Sequence, residues 1–360
     1  MKNGDFLHNA YIFRNGDVQI QATLLNCSNN KRESILCRIG EFELNPSPRR
    51  ATIIISLLSG IAAVSTASIF IKLAQNEGAP SIVIAAARLT IAAVVLAPIA
   101  LLRYRTELKR LSGREWALAL LSGLFLAVHF ASWITSLQYT SVASSVVLVT
   151  TTPLWVALVA PLVLHERAGT YTYYGLALAL GGGIIVGLSD GCSWQGGRLT
   201  CPPILTFFDR TAFLGDFLAL AGAWMAAGYL LVGRKLRAKM ALIPYIFVVY
   251  GMSAILLIVF MLVLRENLTG LTPIVYVWFI LLAFIPQLLG HSIFNWALKY
   301  VPTSFVSITL LGEPVGSTIL AYFIFLEQPG WIKIGGAVLI LVGIWMAARG
   351  NPPQEIVPPD

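Results

Sequence analysis

The chain has 360 residues, of which 57% are hydrophobic and 12% charged, and its formal net charge is +8. About a quarter of the residues in an ordinary soluble domain are charged, so this composition excludes a string of soluble domains and indicates a polytopic helical membrane protein. The positive balance is no sign of nucleic-acid binding, because Lys and Arg gather in short connectors as membrane proteins place them, with no basic patch interleaved with aromatics in a soluble segment.

Residues 1–50 are polar, with single apolar residues scattered among Asn, Asp and Arg. No charged stretch followed by an apolar run stands there, so no secretory signal is expected. The segment is expected to be a disordered cytoplasmic extension. Ten apolar runs follow, at 52–74, 81–102, 116–136, 142–163, 171–189, 213–232, 243–264, 274–298, 303–326 and 332–348. Each is long enough, at about twenty residues, to cross a hydrocarbon layer of about 30 Å. A longer connector, 190–212, carries Cys192 and Cys201. If it lies in an oxidising compartment, the two form a disulfide or remain free thiols. Residues 350–360 form a short tail.

Connector charges set the orientation. Arg103, Arg105, Lys109, Arg110 and Arg114 lie between spans two and three, and Arg234, Lys235, Arg237 and Lys239 follow span six. With both termini inside, these join Arg49, Arg50, Arg167, Lys299 and Arg349. The outside then holds only Lys72, Arg198, Arg210, Arg265 and Lys333. This is a positive-inside bias.

The membrane part is written twice. Tyr139 and Tyr300, Pro153 and Pro314, Glu166 and Glu327, Gly175 and Gly336, Gly182 and Gly343 all pair at an offset of 161. Each copy, 51–189 and 213–349, holds five spans. An odd number makes the second copy enter the membrane from the opposite side. The fold class expected is therefore all-α, with ten transmembrane helices as two inverted five-helix repeats. Such repeats are a mark of secondary transporters, although any membrane scaffold can arise by duplication.

The copies differ at their centre, where Glu313 stands in place of Thr152. Glu313 lies about 15 Å into span nine by helical rise. Charges at that depth are costly and mark functional sites. Pro314 follows it, as Pro153 follows Thr152, and each proline frees a backbone carbonyl. Span eight carries Gln287, His291 and Asn295 at four-residue spacing, with a kink expected at Pro286. Span three carries His129 and Trp133, span one Ser65, Ser68 and Lys72, and span two Arg88. Glu313, His291, Asn295, Gln287, Arg88, His129 and Trp133 are the candidate substrate-binding residues, with Glu313 also the candidate for proton exchange. Each has a plainer alternative. Glu313 can be a protonated structural carboxylate, Arg88 can snorkel to the interface, the histidines can bridge helices, and Trp133 can belong to an interfacial belt. Lys72, Glu166 and Glu327 sit at span ends, where a solvated face is the default. Glycines such as Gly181 to Gly183 are expected to allow close helix packing.

No zinc motif, phosphate-binding loop ending in Lys or nucleophile elbow is present. No catalytic residue, metal or cofactor is expected, and ATP is not the energy source carried by this chain. The segments ending Pro153…His165-Glu166 and Glu313-Pro314…Leu326-Glu327, the glycines after each terminal Glu, and Ala86-Ala87-Arg88 resemble the two signature halves of the drug/metabolite transporter superfamily, EamA-like branch. The resemblance covers about 52–348. It implies ten spans, cytoplasmic termini, a central cavity between the halves, and movement of small metabolites, often export of amino acids or related compounds. The expected protein is a monomeric or homodimeric multi-pass transporter of the plasma or inner membrane. Its expected partners are a small-molecule substrate and the lipid bilayer, with no nucleic acid. Spans one, three, four, six, eight and nine would line its cavity. The alternatives are a non-transporting receptor or partner subunit, a flippase-like carrier of a lipid-linked substrate, and an intramembrane enzyme, for which His129 with His291 is the only faint candidate pair.

Overall fold

Apolar side chains on every face of a segment leave it no soluble home, and in lipid only a helix satisfies its own backbone within one segment. A computed structural model of the chain follows this rule; it describes residues 7–14, 17–24, 48–139, 145, 148–166, 169–189, 193–195, 198–200, 210–325 and 330–350. From Pro48 onward the chain is one unit. Its helices are α1 (Arg50–Asn76), α2 (Ser81–Arg103), the short α3 (Arg105–Arg110), α4 (Gly113–Tyr139), α5 (Thr152–Val163) and α6 (Thr170–Ser189). They continue as α7 (Arg210–Arg237), α8 (Leu242–Val263), α9 (Pro273–Ala297), α10 (Thr303–Ile324) and α11 (Trp331–Gly350). Among the described residues, α1, α2, α4, α7, α8, α9 and α10 are each long and apolar enough to cross a membrane. The protein is thus a multi-pass helical membrane protein.

Two expectations need correction. The span expected over 142–163 is helical without interruption only from Thr152, for 12 residues. Pro153 has no N–H to donate and sits where that loss costs nothing, in the first turn. Second, the extension was expected to lack regular structure. Residues 1–47 form a separate unit, in which β1 (Leu7–Arg14) pairs antiparallel with β2 (Asp17–Leu24). The register sets Leu7 opposite Leu24, Tyr11 opposite Ile20 and Phe13 opposite Val18. In the connector between the halves, Ser193–Gln195 pairs antiparallel with Arg198–Thr200. Cys192 and Cys201 lie outside the described residues, as does Glu327.

The helices pack in counterpart pairs. The repeat equates α1 with α7, α2 with α8, α4 with α9 and α6 with α11. In the structure α4 packs on α7 and α9 on α1, while α2 packs on α8 and α6 on α11. Each contact is either its own counterpart or the counterpart of another contact, as a twofold relation between the halves requires. The α6–α11 crossing shows this atom by atom. A Cβ built on Gly175 would stand 2.5 Å from the Gly343 carbonyl oxygen, and one on Gly182 would stand 2.6 Å from that of Gly336. Gly175 is the counterpart of Gly336, and Gly182 of Gly343. Each glycine therefore meets the partner of the other, and the two helices run antiparallel. Small residues let the backbones come this close, where packing rather than water release holds helices together.

Gly343→Leu is expected to force α6 and α11 apart and to cost about 1–3 kcal/mol as an overpacked site. A lowered thermal midpoint in detergent would show it. Gly251, whose added Cβ would meet nothing within 4 Å, is the control: Gly251→Ala should leave the midpoint unchanged or raise it.

Candidate functional site

The site begins at a break in α10. Thr303–Thr309 is α-helical, Leu310–Gly312 tightens into a 3-10 turn, and α geometry resumes at Glu313. Pro314 then falls in the first turn of the resumed segment, where its missing N–H is tolerated. Glu313 stands at the start of that segment, where the backbone dipole favours negative charge. Helix α1 braces the break. The Ser65 hydroxyl lies 2.7 Å from the Ile61 carbonyl and 3.2 Å from that of Glu313. The Ser317 hydroxyl donates to the Ser65 carbonyl at 3.1 Å and lies 3.2 Å from the Ser68 hydroxyl. Gly316 permits this seam, because a Cβ there would stand 2.1 Å from Ser65 Oγ.

The counterpart position in the first repeat is built alike. Thr152 opens α5 with Pro153 in the first turn. Its hydroxyl donates to the Val149 carbonyl at 2.8 Å and reaches the Ala223 carbonyl on α7 at 3.4 Å. In α9 the kink expected at Pro286 is a π-helical stretch, Ala283–His291. Proline cannot donate the regular bond, and a locally wider helix accommodates it. The rotation per residue changes there, so a stripe drawn at α-helical spacing does not survive. His291 reaches the cavity, whereas Gln287 and Asn295 are fully buried and do not line it.

The cavity lies among α1, α4, α5, α7, α9 and α10, the six spans expected to line it. Its wall holds Glu313, His291, His129, Trp133, Thr152 and Tyr229, set among apolar side chains such as Val64, Leu126, Leu230, Phe294 and Leu311. About 70 Å³ is open to the centres of water molecules, room for several waters. His129 Nδ1 is 2.9 Å from the Gly222 carbonyl. An N–H donated there leaves Nε2 as the acceptor of the neutral ring. The His129 ring stacks on Trp133 at 6.1 Å, and Phe130 meets His291 edge-on at 5.4 Å. Among the described residues, Trp133 Nε1 and the Tyr229 hydroxyl are buried without a hydrogen-bond partner, although Asn295 and Tyr250 lie near Tyr229. Of the two, Trp133 Nε1 is a donor held at the wall with capacity to spare.

Arg88 is fully buried and does not line the cavity. Its guanidinium sits 4.2 Å from the centre of the Phe130 ring. It lies within electrostatic reach of Glu313 and Tyr250. None of its three nitrogens has a hydrogen-bond partner among the described residues. Burying a charge so poorly compensated is costly, and a cation–π contact returns only about 2 kcal/mol when desolvated. Gln287 is in the same position, with both side-chain polar atoms buried and unpartnered, while the Asn295 amide donates to the Tyr250 hydroxyl at 3.4 Å. A polar layer therefore lies behind the cavity wall. Sequence reasoning passed over Tyr229 and Ser307, both on the wall, because a lone tyrosine or serine in an apolar run carries no spacing signal.

The comparisons bear on this architecture. A transporter from Archaeoglobus fulgidus described as uncharacterized is 23% identical over 247 residues, covering 68% of this chain and 80% of that protein. A solved crystal structure of a protein is 18% identical and superposes with a TM-score of 0.64 over 83% of this chain and 96% of that one, which shows a shared fold. The family model for the EamA-like transporter family matches residues 51–188 and again 213–349. These two matches are the two repeats, and the chain belongs to the EamA-like transporter family.

Proposed function

We propose that this membrane transporter is a secondary carrier that exports a small polar, amino-acid-like metabolite by alternating access, exchanging a proton at Glu313. The observation that carries the proposal is a carboxylate on a helix break, facing a cavity shared by two counterpart halves. In this scheme ten spans form two inverted repeats in the plasma or inner membrane, with both termini cytoplasmic. The same packing, exchanged between the halves, opens the cavity to either side. Glu313, His291, His129 and Trp133 contact the substrate. Arg88 draws an anionic group toward the wall, and Gln287 and Asn295 supply hydrogen bonds from the layer behind it. Pro153 and Pro314 place the two helix breaks. No catalytic step is needed, and the family match supports a transporter rather than an enzyme.

A second scheme, with a lipid-linked substrate, is favoured by one feature. An apolar groove lined by Phe125, Trp155, Val159, Trp224, Gly228 and Leu231 runs along the same α5–α7 seam as the wall residues Thr152, Ala226 and Leu230. Thermal stabilisation by a panel of amino acids, nucleosides, sugar phosphates and lipid-linked sugars separates the two schemes. A ligand at a hundred times its Kd adds about 2.7 kcal/mol of stability.

Two variants test the roles assigned. In liposomes, Glu313→Gln should abolish accumulation driven by a proton gradient and retain substrate exchange; full gradient-driven flux would refute the coupling role. Arg88→Met should lose the response to the stabilising ligand, yet keep or raise the thermal midpoint, since an uncompensated buried charge is replaced by a packed apolar chain. A loss of about 3 kcal/mol or more would instead make Arg88 a structural counter-ion.

A further inference from the structure

Glu166 and Arg234 form an ion pair that joins four helices at one end of the cavity. Arg234 Nε donates to Glu166 Oε1 at 2.5 Å, and Arg234 Nη1 donates to the Leu298 carbonyl at the end of α9. The other carboxylate oxygen, Oε2, accepts the Thr303 N–H at 3.0 Å, at the start of α10. The two side chains are only 19% and 10% exposed. They are not a loose surface pair, and both partners are spoken for by further bonds. Just beside them Arg237 Nε donates to the Asn295 carbonyl at 3.0 Å, and Arg237 Nη1 to the Met240 carbonyl.

The backbone is bent to make this pair. Helix α5 ends at Val163, and His165 takes φ 59°, the left-handed region that a side chain other than glycine's rarely occupies. That turn carries Glu166 back toward α7 and α10. The pair lies close beneath the cavity. Leu230, Phe294 and Ser307 belong to the wall, and Arg234, Leu298 and Thr303 each lie four residues from one of them. Four residues are about 6 Å of helix, one turn. On α7, α9 and α10 the contacts made by this ion pair are therefore the next layer below the wall.

We infer that the Glu166–Arg234 pair, with the Thr303 N–H and Leu298 carbonyl it engages, is the latch that closes the cavity on the face carrying Arg234, and that it must open once in every cycle. The inference rests on the transport reading above and deepens it. In this structure the latch is shut. Opening separates the ends of α5 and α10 from those of α7 and α9 and releases the carboxylate and guanidinium to water.

The test uses a reporter at Ser307. The four native cysteines are replaced by alanine and Ser307→Cys is introduced in the full chain. Labelling by a membrane-impermeant maleimide is then timed from each face of sealed vesicles. Glu166→Gln and Arg234→Gln should each speed labelling from the Arg234 face by about tenfold, the effect of losing one charge-assisted hydrogen bond. Labelling from the other face should not rise. The exchanged pair Glu166→Arg with Arg234→Glu should return little of the protection, because an arginine cannot accept the Thr303 N–H and a carboxylate cannot donate to the Leu298 carbonyl. Unchanged labelling in both single variants would overturn the latch. So would an equal rise from both faces with a lowered thermal midpoint, since that reports general loosening. Faster one-sided labelling in a protein that moves no substrate would leave the latch standing and refute transport. Intact flux with unchanged labelling would do the reverse.

Discussion

The arrangement depends on a break in the backbone of α10, held in the middle of an apolar bundle. Lipid offers no hydrogen bonds, so an interrupted helix survives there only if protein or a wet cavity receives the groups it releases. Ser65 and Ser317 tie α1 to α10 across the break, and the cavity takes the carboxylate of Glu313. The matching interruption at Thr152 and Pro153 is tied to α7 by a side-chain hydroxyl. The two segments start at equivalent places, each with a proline as its second residue, and Thr152, Pro153 and Glu313 all line the cavity.

What surrounds the break is packed through small residues. Gly175 with Gly343 and Gly182 with Gly336 bring α6 and α11 to backbone contact. Gly123 brings α4 against Met252 and Val249 of α8, where Ser253 also donates to the Gly123 carbonyl at 2.7 Å. In a bilayer such contacts substitute for the release of water that drives packing in solution. They also join one half to the other, since α6 and α4 belong to the first repeat and α11 and α8 to the second. The buried polar layer of Arg88, Gln287 and Asn295 works against this economy. Its tolerated cost is the reason for tying it to substrate handling rather than to stability.

Several features were legible from residues alone because they rest on local rules. Runs of apolar residues, connector charge and the offset of 161 are counts that need no folding. The hairpin near the start was legible too and was missed. Asn15-Gly16 stands between two alternating runs, the strongest short-range hairpin signal, and a polar composition does not override it. Gln287 and Asn295 were placed with His291 on one face, which an unbroken α-helix would have required. The π-helical stretch at Pro286 changed the rotation between Gln287 and His291.

The sequence by itself determined that this is a duplicated helical membrane protein with a carboxylate where its two copies differ, because hydropathy, repeat offset and residue identity are properties of the chain. It also placed Glu313, His129, Trp133 and His291 as candidates, since polar side chains in apolar runs are conspicuous at once. Only the tertiary structure decided which of them share a wall, that Arg88 lies behind it, and that Glu166 reaches Arg234, Thr303 and the Leu298 carbonyl instead of water. The reason is distance in the chain. Glu166 and Arg234 are 68 positions apart and Glu166 and Thr303 are 137 apart, and no local period relates residues so far separated until the helices have packed.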